Sequence, residues 1–214
     1  PQSISNNSIK TIYRDRTGVV WIGTGDGLNK FNPYKNLFVH YQQEERENSL
    51  ISNVLTGFCE DNKGNIWIRT VQGVSKMDKH GVFQNYGKVK IKDKTISFQN
   101  IRDISKDRNG NLWFSRKDGL YQLDFKDNQF HFYPLIYQDY TGADLLSTFV
   151  DNRNHVWAGT YGNGVFEFDI VRNRFTGSLN VENSALSSNY IKDITQLTDG
   201  SLCFSTLLTW IDLY

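Results

Sequence analysis

Tryptophan recurs at Trp21, Trp67, Trp113 and Trp157, at spacings of 46, 46 and 44 residues, and a further 46 positions on stands Cys203. Three positions before these five lie Gly18, Gly64, Gly110, Asn154 and Gly200. Six before lie Asp15, Asp61, Asp107 and Asp151, with Leu197 breaking the column in the last copy. Columns that coincide at one period make a repeat, and a period of about 45 residues confines the chain to solenoids, propellers or similar arrays in which each unit completes its core against its neighbours.

Within each copy the residues read as four short strands. The first is an apolar run, as in Ile9–Tyr13, Val54–Cys59, Ile101–Ser105 and Ile191–Thr195. An Asp-x-x-Gly turn follows, in which Asp can accept from backbone N–H groups ahead of it and Gly or Asn tolerates positive φ. The second strand carries the Trp. The third has the pattern Gly27-Leu28 to Phe31-Asn32, repeated at Gly73-Val74, Gly119-Leu120 and Gly164-Val165. The fourth is aromatic: Phe38–Tyr41, Phe83–Tyr86, Phe130–Tyr133 and Phe175. Composition agrees, since 30 aromatic residues stand against only three alanines and one methionine, which favours pleated sheet over helix. Consecutive apolar residues such as Val20, Trp21 and Ile22 need cover on both sheet faces, as blades stacked face to face provide. A barrel would require cleaner alternation and a β-helix shorter coils. The expected fold is therefore all-β, a β-propeller of four-stranded antiparallel blades, with about 4.5 blades over residues 1–214: roughly 5–45, 50–88, 97–135, 144–178 and an incomplete 187–214.

The motif I-x-x-I, then D-x-x-G-x-[ILV]-W-I-G-T, then G-L and F-[DN], resembles the two-component regulator propeller repeat. The first copy matches almost throughout: Ile9, Ile12, Asp15, Gly18, Trp21-Ile22-Gly23-Thr24 and Gly27-Leu28. The resemblance covers about residues 5–214 and implies the sensor region of a hybrid two-component histidine kinase. In such proteins many repeats form two propellers outside the cytoplasmic membrane, often recognising oligosaccharides. It thus implies a periplasmic or extracytoplasmic part of a membrane-anchored bacterial sensor, with further blades and a downstream signalling module of the same parent chain as partners. No Tyr-rich all-β module or kinase segment follows the repeats here, and the fifth copy lacks the Trp, the Asp and the Gly-Leu strand start. Four blades and part of a fifth fall short of the family's seven-blade ring, which implies a fragment; the alternative is a five-blade ring closed by residues 1–7.

Other functions find little support. Net charge is +1, and the basic cluster Lys88, Lys90, Lys92 and Lys94 alternates with other residues as a solvated strand face would, unlike the concentrated basic surface of a nucleic-acid binder. No apolar run reaches membrane-spanning length. Cys59 and Cys203 have no disulfide or metal spacing, and their apolar neighbours Phe58, Leu202 and Phe204 predict buried thiols. No nucleophile elbow, zinc helix or phosphate loop is present, so no catalytic residue, cofactor or metal is expected. Asp107-x-Asn109-x-Asn111 mimics the start of a calcium loop, but it recurs as a blade turn and Asp118 stands where the bidentate Glu belongs.

Candidate ligand residues are departures from the repeat. The second position after the Trp column holds Gly23, Arg69, Ser115, Gly159 and Ser205; the next holds Thr24, Thr70, Arg116, Thr160 and Thr206. Arg69 and Arg116 replace small residues there, at the end of the second strand. Asp118, Tyr161 and Asn163 follow in the adjoining loops, and Tyr137 and Tyr140 stand in the long segment Pro134–Leu145. Aromatic faces beside multi-donor polar groups suit an oligosaccharide, neutral or acidic. The competing reading of these residues is an ion pair of Arg116 with Asp118. The competing reading of the whole chain is a scaffold for protein partners, including a homodimer through blade edges.

Overall fold

The computed structural model describes residues 3–35, 37–46, 48–142, 144–207 and 211–214. Among them there is no helix. The architecture is all-β, of the propeller class, built from small antiparallel sheets whose strands follow chain order. The chain divides into two compact units that meet in sequence at Ile101 and Arg102.

In the first unit, β1 (Ile9–Arg14), β2 (Val20–Thr24), β3 (Leu28–Asn32) and β4 (Leu37–Tyr41) form one sheet. A second contains β5 (Leu55–Glu60), β6 (Ile66–Thr70), β7 (Gly73–Met77) and β8 (Phe83–Tyr86). Trp21, Leu28, Leu50, Leu55, Ile66, Ile68 and Met77 share one core between these sheets. β9 (Lys88–Ile91) and β10 (Lys94–Ser97) make a separate hairpin. Its four lysines are exposed while Val89 is buried, so the basic cluster is a solvated strand face.

In the second unit, β11 (Asp103–Lys106), β12 (Leu112–Arg116), β13 (Gly119–Asp124) and β14 (Gln129–Tyr133) form a sheet. The short hairpin of β15 (Ile136–Tyr137) and β16 (Tyr140–Thr141) follows it. Then come β17 (Leu145–Val150), β18 (Val156–Thr160), β19 (Val165–Asp169) and β20 (Arg174–Leu179) as another sheet. A three-stranded sheet of β21 (Ile191–Gln196), β22 (Leu202–Thr206) and β23 (Ile211–Leu213) ends the chain. Within the incomplete fifth repeat, positions 208–210 lie outside the described residues, as do Pro1 and Gln2 of the segment expected to close a five-blade ring. Residues 3–7 form no strand; Ser5 instead donates its backbone N–H to Asn29 Oδ1 at 2.7 Å.

The repeat columns have direct structural causes. Trp21, Trp67, Trp113 and Trp157 sit at the same second-strand position and are all buried. Gly18, Gly64, Gly110, Asn154 and Gly200 have φ between 69° and 94°, the left-handed region that most side chains avoid. The Thr column closes the next turn: Thr24, Thr70 and Thr160 each donate a hydroxyl to the carbonyl of Gly27, Gly73 and Gly164 at 2.8–3.0 Å. Cys59 and Cys203 are half-buried, not enclosed as their neighbours predict. Cys203 occupies the Trp column, and a thiol is too small to cover the surface that an indole covers.

Candidate functional site

The two arginines are held within their own blades. Arg69 faces Gly57 across the β5–β6 register and donates through Nη2 to Thr56 O at 2.8 Å. The column it interrupts is crowded, since a Cβ at Gly23 would lie 2.7 Å from Thr11 Cγ2. Blade two accommodates Arg69 because Gly57 leaves the opposite position empty. Arg116 lies 3.3 Å from Asp118 Oδ2 and donates to Tyr121 Oη at 3.0 Å, and Tyr121 donates in turn to Asp118 Oδ2 at 2.8 Å. Its guanidinium carbon is also 5.7 Å from the Tyr121 ring centroid. Burial, then the hydrogen bond and charge of Asp118, push the Tyr121 hydroxyl well up, so it stays a proton donor far into the alkaline range.

Tyr137, Tyr140 and Asn163 instead come together in a groove of about 450 Å³ in the second unit. One wall is the β15–β16 hairpin. Tyr140 stacks on Phe166 with centroids 5.3 Å apart and planes at 21°, and Tyr137 meets the same ring edge-on at 6.1 Å. Phe166, on β19, is 4% exposed and forms the floor. Burial and the nearby Asp144 raise the Tyr140 hydroxyl above its ordinary range. Asn163 and Gly162, in the β18–β19 turn, border the groove at one end. A second wall comes from Ser178, near the end of β20, and from Asn180, Glu182 and Asn189 in the segment after it.

That second wall is fixed by its own amides. Asn180 Oδ1 accepts from the Glu182 N–H at 2.8 Å, and Asn189 Oδ1 accepts from the Val181 N–H at 2.9 Å. The Asn189 carbonyl takes the N–H groups of Gly162 and Gly164. With their oxygens engaged, the two asparagines have chiefly their NH2 groups to offer a ligand. Tyr161 forms an edge-on pair with Tyr190 at 4.9 Å, next in sequence to Gly162. The arrangement joins an aromatic wall and floor to several amide and hydroxyl groups, a combination that receives the C–H face of a ring and hydrogen-bonds its edge.

Residues 3–26, 49–72 and 95–115 match the family model of the two component regulator propeller. Those three stretches are similar to two-component regulator propeller repeats. Each matched stretch runs from the first strand of a repeat through its Trp-bearing strand, so the sequence columns and the sheets describe one unit. No curated protein matches.

Solved structures carry the propeller fold across the whole chain. The extracellular domain of a hybrid two component system from B. thetaiotaomicron is 23% identical at a TM-score of 0.60, over 99% of this chain and 34% of that one. PorZ, a surface component of the type-IX secretion system of Porphyromonas gingivalis, is 18% identical at a TM-score of 0.76, over 95% and 31%. An inactive virginiamycin B lyase from Staphylococcus aureus is 15% identical at 0.70, over 99% and 71%. The chain thus spans about a third of the length of the first two. At these identities the likeness establishes fold, and one propeller serves sensors, secretion components and enzymes alike.

Of the residues lining the groove, Tyr137, Tyr140 and Asn163 are candidates that the sequence offers, whereas Phe166, Ser178, Asn180, Glu182 and Asn189 are not. Phe166 reads as core from its strand position. Ser178 lies in the fourth strand of its blade, and Asn180, Glu182 and Asn189 lie in a connecting segment whose only sequence signal is its density of asparagine.

Proposed function

We propose that this chain is part of the extracytoplasmic ligand-sensing propeller of a two-component sensor, binding an oligosaccharide in the groove between the β15–β16 hairpin and the segment 178–189 and passing the binding energy to a kinase module. The observation that carries the reading is the Tyr140–Phe166 stack beside Asn163, Asn180 and Asn189: apolar ring surface and amide donors converge in one concave site. The propeller repeats and the likeness to an extracellular domain of a hybrid two component system support the sensor role. No helix among the described residues is long and apolar enough to cross a membrane.

The test is calorimetric titration with neutral and acidic oligosaccharides of three to eight sugars, together with Tyr140→Ala. At least one oligosaccharide should bind, and Tyr140→Ala should weaken it about tenfold or more, as expected for loss of a stacking ring. If no member binds, or Tyr140→Ala binds as wild type does, the groove is not a saccharide site. Binding of a purified protein partner unaffected by Tyr140→Ala would favour the scaffold reading.

A further inference from the structure

The chemistry of the groove narrows what it can take. Asp139, at the tip of the β15–β16 hairpin, and Glu182, in the segment after β20, are its two charged lining residues, and both are exposed. The remaining lining residues are Tyr137, Gln138, Tyr140, the glycine and asparagines of the walls, Ser178 and Phe166, so the described lining contains no lysine, arginine or histidine. The two basic residues that the sequence offers as anion receptors are committed elsewhere: Arg116 to Asp118 and Tyr121, and Arg69 to Thr56 O in the first unit.

Ionised carboxylates are acceptors only, with room for about four hydrogen bonds each. They suit a ligand rich in O–H donors, and a pair of neighbouring sugar hydroxyls can bond both oxygens of one carboxylate. The same groups repel a ligand carboxylate or sulfate, with no neighbouring cation in the groove to compensate.

We infer that the groove selects neutral, hydroxyl-rich oligosaccharides and rejects uronate-bearing or sulfated ones, with Asp139 and Glu182 setting that preference. This rests on the reading of the groove as a saccharide site and names the class of sugar it takes. Repulsion from exposed charges is screened by salt over about 10 Å at 0.1 M, so the preference is strongest at low ionic strength.

The experiment compares the best-binding neutral oligosaccharide with its uronic-acid counterpart of the same linkage and length, in 20 mM and 300 mM NaCl. Wild type, Asp139→Asn, Glu182→Gln and the double variant are all titrated. Both positions are exposed, and matching melting curves would verify that folding is intact. In wild type at low salt the neutral sugar should bind about tenfold more tightly or better. The gap should shrink in 300 mM NaCl and fall to within about threefold in the double variant, chiefly because the acidic sugar gains. Equal binding of the two sugars by wild type, or a gap unchanged in the double variant, overturns the selectivity while leaving the saccharide site intact. Failure of both sugars to bind overturns the selectivity and the site together.

Discussion

Trp67 donates its indole N–H to Asp61 Oδ2 at 3.0 Å, six residues back and across the turn that opens its strand. The same bond joins Trp21 to Asp15 at 2.8 Å, Trp113 to Asp107 at 3.0 Å and Trp157 to Asp151 at 2.9 Å. Two columns of the repeat are therefore one device, in which each carboxylate both closes the turn and satisfies a largely buried indole. The last copy loses both partners together, as Leu197 and Cys203.

Asp61 is 2% exposed and also accepts from the N–H groups of Lys63 and Asn65 and from the Asn65 amide. A turn aspartate with one backbone bond would be worth about 1 kcal/mol. Here Asp61→Ala strands a buried indole N–H as well, and should cost about 2–4 kcal/mol. Trp67→Ala, which leaves a cavity, should cost about 3–5 kcal/mol. Asp15 is half-buried, so Asp15→Ala should cost less than Asp61→Ala. Urea melts of the three variants give the order; equal losses at Asp15 and Asp61 would refute the argument from burial.

Acid should find the same group. Burial pushes the Asp61 carboxyl up, but the hydrogen bonds from Trp67, Asn65 and Lys63 outweigh it and hold it below the ordinary carboxylate value of 3.8. A group whose folded pKa is depressed adds stability that is fully present above its unfolded pKa and is lost as pH falls through the folded one. Melting temperature should therefore drop below about pH 4. In Asp61→Asn the acid limb should be shallower, on a lower plateau at pH 7. An acid limb identical to wild type would assign the acid sensitivity to other carboxylates.

The alkaline side has a counterpart in Tyr86, whose ring stacks on Trp67 at 5.2 Å. Burial, then the charge of Asp61, push its hydroxyl up to about 12. Its contribution is fully present below the unfolded value near 10 and is lost as pH rises toward 12. Tyr86→Phe should flatten the loss of melting temperature between pH 10 and 12, while the steeper wild-type slope would persist if other tyrosines dominate.

Much of the fold was legible because the repeat states it several times. The Trp period gave the unit, and the glycine column marked turns whose φ is indeed positive. The Thr column was visible only as small hydroxyl residues; its bond to the carbonyl three or four residues on appears once the turn is built. The site was less legible for the same reason. Arg69 and Arg116 stood out by breaking columns, yet each break is compensated locally, by Gly57 and by Asp118 with Tyr121. Apart from Phe166 and Ser178, the groove residues belong to turns and connecting segments, where no column exists to be broken. Phe166 hides in a strand that reads as core, because its ring serves the core on one side and the groove floor on the other.

Arg116 should accordingly behave as scaffold. Its side chain is 16% exposed and bridges Asp118 and Tyr121. Arg116→Ala should cost about 1–3 kcal/mol of stability, because it removes a charge-assisted hydrogen bond from a partly buried network. Affinity for an oligosaccharide held in the groove should stay within about twofold of wild type. A loss of affinity with an unchanged melt would return Arg116 to the ligand site.

Gly57 and Arg69 offer a test of local compensation. A Cβ at Gly57 would lie 2.5 Å from Arg69 Nη2 and 2.8 Å from Nε, so Gly57→Ala must displace the guanidinium and disturb its bond to Thr56 O. A guanidinium can move, which limits the cost to about 1–2 kcal/mol. Gly57 lacks the positive φ that would itself forbid alanine. Once Arg69 is replaced by serine, as in the equivalent positions Ser115 and Ser205, the obstacle is gone. In that background Gly57→Ala should be neutral or stabilising by about 0.4–1 kcal/mol, through the lower backbone entropy of the unfolded chain. The double-mutant cycle should therefore show a favourable coupling of about 1–3 kcal/mol. Additive losses would mean that Gly57 is required by the register shift of β5 between Leu55 and Gly57 and that Arg69 merely occupies space already there.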